Sequence, residues 1–463
     1  MPFFIKNKKR KADKSKQKLR PSQSEKKTDD RKPKKKKFIG EEIESDSDIL
    51  SDEEGKKAYS SEEEEEETVQ EKKLRLAKQY LSQIESEEAD KLEDEDINKD
   101  IISHRLKQDI LEQTGRLHKQ VADDYTAPTV EDITVLRGHQ LSITCIAVSS
   151  DSRYIYSASK DCAIIKWDVQ TCRKILMVHG GKRNKGEGHA GPVMCIAISS
   201  DGKYLASGDT KNEIHIRNAD TMERIKIFYG HRNTVSGLAF RKGTHQLFSS
   251  SHDRSVKIWN LDEMTYVETL YGHEDKITSI DSLTRERAIT AGGRDGSVRI
   301  WKVIEESQLV FHGHMGSIDC VSLINETNFV SGADDNSLAL WGVLKKKPLY
   351  TVKNAHSVEN KENSSVSTEN WITSVVSLQH TDLIASGSKD GLIRFWKCSD
   401  DFKLLNPLFS LPVVGFVNSL QFSKDGDFLV AGVGQEHKMG RWWRIKEAKN
   451  SICIIKLTKK NGT

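Results

Sequence analysis

Histidines and aspartates recur along this chain at spacings that invite a chemical reading. Gly-His pairs stand at His139, His189, His231, His273 and His314, with Ala355-His356 as a sixth variant, and after the first interval they lie about 42 residues apart. Six residues before a tryptophan an aspartate recurs: Asp161 and Trp167, Asp253 and Trp259, Asp295 and Trp301, Asp335 and Trp341, Asp390 and Trp396. An imidazole beside a carboxylate is the pairing of general acid–base catalysis and, with further ligands, of metal sites. A catalytic pair serves one site, whereas a pair repeated five times at one offset belongs to a repeating scaffold. No G-x-x-x-x-G-K-[ST], H-E-x-x-H or nucleophile elbow accompanies these residues. The expectation is a protein without catalytic residues, metal or cofactor, whose function is binding.

Two groups of residues suit binding. The string VGQEHKMGRWWRIKE (Val433 to Glu447) sets adjacent tryptophans among basic residues. On a strand, neighbours point to opposite faces, so Trp442 and Trp443 are expected either to be buried between neighbouring elements or to offer a ring for stacking beside His437, Lys438 and Arg441. In the strand reading, Arg444 lies about 10 Å below Arg441 and is the weaker contact. The second group comprises the residue before each aspartate position: Lys160, Thr210, His252, Arg294, Asp334, Lys389 and Gln435. A ring with this basic bias attracts backbone phosphates through counterion release; the alternative is a solvated rim with no ligand. The expected contacts with a phosphate-bearing ligand are therefore Lys160, His252, Arg294, Lys389, His437, Lys438, Arg441 and Trp443, which become RNA contacts under the family resemblance given below.

The periodic region, from about residue 130 onward, must position these groups. It resembles the WD40 repeat, a four-stranded blade, and seven such units imply an all-β, seven-bladed WD40 β-propeller. In that family the histidine and aspartate turns are joined by buried hydrogen bonds. The resemblance assigns such structural roles to His139, Asp161, Trp167, His231, Asp253, Trp259, His273, Asp295, Trp301, His314, Asp335, Trp341, Asp390 and Trp396. Two blades depart from the pattern. In the second, Arg217 replaces the tryptophan and Lys211 the aspartate, so an incomplete network is expected there. In the last, Glu436 replaces the aspartate and no Gly-His precedes it. Both Ile133–Leu136 and Ile452–Leu457 read as a final outer strand, and the sequence does not choose between them.

Ahead of the propeller (125–463), a charged tail (1–67) and a helical segment (68–124) are expected. Residues 1–40 hold 17 Lys and Arg against 4 Asp and Glu, and residues 41–67 hold 2 against 14. Such blocks are disordered interaction tails, and the basic one suits nuclear import, with a solubilising role as the alternative. Ser45, Ser47, Ser51, Ser60 and Ser61 precede acidic residues and are candidate phosphorylation sites. Thr68 and Glu71 form a predicted capping box before an apolar stripe of Leu74, Ala77, Leu81 and Ile84. A second stripe runs Ile97, Ile101, Leu106, Ile110, Leu117 and Val121. Packing on the chain's own body and docking on another protein are both open to these stripes. Two long linkers, His179–Gly191 and Asn354–Asn370, suggest functional loops. Seven scattered cysteines without a CxxC pair argue for a reducing compartment, and the lack of a long apolar run or leader argues for a soluble, unsecreted chain.

The string GQEHKMGRWWR, with KKLRLAKQYL (Lys72 to Leu81) and the opposed charged tails, resembles the WD-repeat subunit family of the U3 small nucleolar ribonucleoprotein, the ribosomal RNA processing protein nine family. The resemblance implies binding of U3 snoRNA at its box B/C element, beside a kink-turn-binding subunit. It further implies association with other small-subunit processome proteins, indirect contact with pre-rRNA, and residence in the nucleus and nucleolus, with neither membrane nor small-molecule substrate. The competing class is a protein-only WD40 scaffold or nuclear peptide- or histone-binding adaptor. The ubiquitin-ligase receptor signature, Arg two residues after the Trp-Asp pair, is missing: Trp167-Asp168 is followed by Val169 and Gln170.

Overall fold

The computed structural model describes residues 69–89, 103, 105–107, 110–111, 117–180, 187–357 and 370–460. The basic arm, the acidic block and the five candidate serines lie outside the described residues. A helix, Val69–Ala89, carries the first stripe, and its Leu74, Ala77 and Leu81 are exposed.

Seven four-stranded antiparallel sheets follow. Blades one to six run consecutively from Ile143–Val148 to Leu405–Pro412, and each begins with its innermost strand. The first three strands of a blade bury both faces and are rich in Ile, Val, Ala and Ser. The fourth faces solvent, as in Arg173–Val178, where four consecutive residues are exposed. This gradient follows from the architecture: inner strands pack between neighbouring blades, whereas outer strands form the wall.

Blade-to-blade contact shapes the inner strands. Six of the seven carry an irregularity in pairing near their start. In two of them a threonine at the irregularity reaches across: Thr144 Oγ1 donates to Val193 O at 2.6 Å, and Thr278 Oγ1 to Ile318 O at 2.7 Å. Closeness is also why Gly432 must be glycine, since a Cβ there would lie 2.9 Å from Ile143 of blade one.

Blade seven is closed by both sequence candidates together. Ser451–Lys456 is its third strand, and Ile133–Leu136 pairs antiparallel outside it, with Ile133 opposite Ile455 and Leu136 opposite Ile452. The two ends of the ring are thereby stitched into one sheet, which removes the free edge that either would present alone.

The helical reading of 68–124 gives way at Leu117. Lys119 N donates to His380 O at 2.8 Å, and the Asp382 carboxylate accepts from Val121 N and Ala122 N at 2.8 and 3.0 Å. Leu117, Ala122 and Tyr125 are buried, so this stretch packs on the outside of blades six and seven. Backbone groups satisfied by a sheet's turns do not need a helix.

Candidate nucleic-acid interface

The turns of the rim are held by a repeated relay. In blade one, Trp167 Nε1 donates to Ser157 Oγ at 2.9 Å, His139 Nε2 lies 2.8 Å from that oxygen, and His139 Nδ1 lies 3.2 Å from Asp161. For a neutral imidazole, one assignment gives each bond a proton: indole to hydroxyl, hydroxyl to Nε2, Nδ1–H to carboxylate. The same relay joins Trp259, Ser249, His231 and Asp253, then Trp301, Thr290, His273 and Asp295, then Trp396, Ser386, His356 and Asp390. In blade five Ser337 is inserted between His314 and Asp335. The hydroxyl-bearing member of each relay went unrecognised in the sequence, although Ser or Thr stands 10 or 11 residues before each tryptophan.

Blade two corrects the expectation for Lys211. Asp209, two residues earlier, accepts from His189 at 3.2 Å, and Ser207 lies 2.7 Å from the other ring nitrogen, so only the indole is missing. The turn Asp209–Glu213 keeps a different register, and the carboxylate anchors it through the Lys211 and Glu213 N–H groups.

Blade seven departs more. Its Val433–Glu447 string is not a strand: the second strand ends at Gly434, the third starts at Ser451, and between them the chain makes one isolated bridge, Glu436 to Arg444. The loop is tied down by Asn418, whose Nδ2 donates to Ile143 O and Glu436 O and whose Oδ1 accepts from Lys438 N at 3.0 Å. Among the described residues no histidine meets Glu436; its carboxylate takes Arg441 Nε at 3.0 Å and Lys160 Nζ at 3.5 Å. Arg444 folds back onto Gln435 Oε1 at 2.9 Å instead of continuing down a strand.

Freed from a ladder, both tryptophans are exposed, Trp442 at 62% and Trp443 at 46%, which overturns burial between blades. They gather on Trp371, with ring centroids 6.2 and 5.0 Å away in edge-on geometry. Of the eight tryptophans, five build relays, and these three make one patch. Lys389 Nζ caps it, 3.9 Å from the Trp443 centroid, where burial lowers its pKa. Trp371 was not singled out from sequence because it follows a polar linker with no repeat pattern to mark it.

The remaining candidate contacts separate by environment. Arg294 is exposed on its turn, and Arg441 is largely exposed despite its partner. Lys160 is mostly buried, with Nζ donating to His437 O at 2.6 Å. Lys438 turns inward and lines the central channel, about 660 Å³, with Nζ 3.5 Å from Thr373 O. His437 is buried, and burial, aided by the charges of Lys438, Lys160 and Lys276, pushes its pKa down to about 3. It is therefore a neutral packing residue and not a cationic contact. His252 is half-buried, and burial lowers its pKa as well. The rim is thus no uniform cationic ring, because Lys160, His437 and Lys438 are engaged internally.

Comparison with known proteins agrees with this geometry. The family described as WD domain, G-beta repeat matches residues 131–168, 182–218, 222–260, 264–302, 305–342 and 361–397, and stops before the atypical last blade. The human U3 small nucleolar RNA-interacting protein 2 is 57% identical over 393 residues, covering 84% of this chain and 82% of its own. Ribosomal RNA-processing protein 9 of Saccharomyces cerevisiae is 26% identical, covering 82% of this chain and 88% of its own. Among solved structures, that titled "Crystal structure of RRP9 WD40 repeats" is 57% identical and superposes with a TM-score of 0.70 over 72% of this chain and all of that one. Identity and coverage of this order, on a propeller whose last blade carries a tryptophan-bearing loop between its second and third strands, mean that the chain belongs to the WD-repeat family of the U3 small nucleolar RNA-interacting proteins.

Proposed function

We propose that this protein is an RNA-binding, non-catalytic component of the U3 small nucleolar ribonucleoprotein, acting in small-subunit pre-rRNA processing in the nucleolus. The observation that carries the reading is the patch of exposed Trp442 and Trp443 gathered on half-buried Trp371, bordered by Lys389 of blade six and Arg441 of the atypical blade. Exposed indoles are costly to leave in water and suit the faces of unpaired bases, while the cations suit phosphates. Within this reading U3 snoRNA at box B/C is the ligand, beside a kink-turn-binding subunit that bends the RNA. Base contacts come from Trp442 and Trp443, and phosphate contacts from Arg294, Lys389 and Arg441. Lys160, His437 and Lys438 support the loop from beneath. The names of the relatives, U3 small nucleolar RNA-interacting protein 2 and ribosomal RNA-processing protein 9, support the assignment.

The test is retention of U3 snoRNA by the full chain and by the double variant Lys389→Glu, Arg441→Glu, at matched melting temperature. The variant should lose most of the RNA. Unchanged retention by a folded variant overturns the site, and binding insensitive to salt and ribonuclease favours a protein-only scaffold.

A further inference from the structure

Blade two holds a charge that its surroundings do not neutralise. Arg217 takes the position of the relay tryptophan and is 1% exposed. Nη1 donates to Met222 O at 3.1 Å and Nη2 to Glu187 O, while Nε, also buried, has no partner among the described residues. No described carboxylate comes within ion-pair distance of this guanidinium. Two carbonyls solvate part of it and Glu187 favours its charge from a distance, but a buried cation with no directly paired carboxylate is only partly compensated.

The missing indole also leaves space. A cavity of about 420 Å³ lies against Arg217 at the junction of blades one and two. Leu176, Met177 and Met222 form its apolar side, with Arg217 and Arg224 on the other. Arg224 pairs across the sheet from Arg217 and is a second like charge beside it; burial and then this repulsion bring the Arg217 pKa down to about 10. Adjacent His215 is held neutral, its pKa lowered to about 2 by burial and by His189, Arg217 and Arg224. The two guanidiniums on this side of the space favour an anion, while Glu187 and Glu223 elsewhere in the lining limit it to a single charge.

We propose that the cavity is a peptide-binding site that accepts one carboxylate, from an Asp or Glu side chain of a partner protein flanked by apolar residues, against Arg217. The volume suits two or three side chains, and the apolar wall gives the neighbours of the carboxylate a place to pack. An RNA backbone fits less well. The guanidinium is too deep for a phosphodiester chain, and Glu187 and Glu223, which also line the cavity, repel a polyanion more than a single carboxylate.

The experiment is calorimetric titration of the full chain with two probes, acetyl-Leu-Asp-Leu-amide and acetyl-Leu-Asn-Leu-amide. The Asp peptide should bind at least tenfold more tightly. Arg217→Trp, which restores the residue of the other blades and fills the cavity, should abolish that preference without lowering the melting temperature; Arg217→Met is the second variant should the tryptophan not fit. Equal affinity for the two peptides in the unmodified protein overturns the proposal, and needs no variant. So does an undiminished preference in either folded variant. Displacement of the Asp peptide by a U3 oligonucleotide, with loss of that displacement in Arg217→Met, would assign the site to RNA phosphate instead.

Discussion

Arg441 Nε and Glu436 Oε2 stand 3.0 Å apart across the blade-seven loop, and Lys160 of blade one reaches the same oxygen at 3.5 Å. One carboxylate thus fastens an irregular loop to its neighbouring blade while masking part of the positive charge on the rim. Replacing it separates the two effects. In Glu436→Gln the amide oxygen still accepts from Arg441, but the neutralising charge is gone. U3 RNA should bind more tightly at low salt, and the slope of log K against log salt should steepen by roughly 1. Filter binding across a salt series measures both, and an unchanged slope would mean that Arg441 and Lys160 lie outside the RNA footprint.

Trp443 is the ring that Lys389 caps and Trp371 supports edge-on. If a base stacks on it, Trp443→Ala costs about 1–3 kcal/mol of binding, a loss of roughly 5- to 150-fold. Its stability effect should be small, because nearly half of its surface is already in water. Trp259→Ala should show the opposite profile. That indole is buried, bonded to Ser249 and stacked on Phe228, so its loss should destabilise by about 3–5 kcal/mol. Paired melting and RNA-binding measurements separate the two, and a large loss of stability in Trp443→Ala would make the patch a packing element.

These two tryptophans also mark what the sequence could and could not reveal. Trp259 was legible because a relay demands fixed hairpin geometry, so its offset from Asp253 repeats from blade to blade. Asp209 was missed because counting back from Arg217 assumes that same hairpin, and the turn after Asp209 has another register. Val433–Glu447 looked like a strand through its hydrophobic and basic residues, yet a loop folded by Asn418 and Glu436 depends on partners hundreds of residues away in blade one, which no local pattern encodes. Trp371 had neither offset nor neighbours to distinguish it. Closure was half legible: both candidate strands were found, but whether Ile133–Leu136 or Ser451–Lys456 lies outermost is decided by their mutual pairing.

Acid should weaken the fold in two separate windows. The fold holds His437 neutral, with a pKa of about 3 against an ordinary 6.5, so its contribution is complete above pH 6.5 and is lost as pH falls toward 3. At pH 5 the loss from this group is on the order of 2 kcal/mol. For Asp295, burial raises the carboxyl but the His273 and Ser297 hydrogen bonds outweigh it and bring it to about 2, so its contribution is present above its ordinary value and disappears only as pH falls through about 2. His437→Asn keeps an acceptor for Met439 N–H and removes the imidazole. Urea midpoints at pH 7.5 and 5 should differ less in this variant, with the remaining difference carried by the other histidines whose pKa values burial lowers, His118, His189 and His252 among them, with His314 brought to about 4 and His215 to about 2. An identical pH dependence would mean that His437 is not held neutral.

The closing strand gives the sharpest stability prediction, because four residues hold the two ends of the ring together. Removing everything before Arg137 takes away the partner of Ser451–Lys456 and the buried Leu136. Burial of one leucine is worth about 2 kcal/mol and each ladder hydrogen bond roughly 1, so the loss is on the order of 5 kcal/mol, comparable with the whole stability of many domains. The truncation also removes the Tyr125 anchor on Gly426, so a second chain starting at Leu117 with Thr134 and Leu136 both changed to Asp isolates the strand itself. Both should melt at lower urea and associate through the open edge, as read by size-exclusion chromatography. A peptide spanning residues 130–137, added in trans, should restore the truncated chain toward monomer. Restoration by a scrambled peptide, or a Thr134, Leu136 double variant as stable as the parent, would mean that the ring closes through the packing of blade seven on blades one and six and not through this strand.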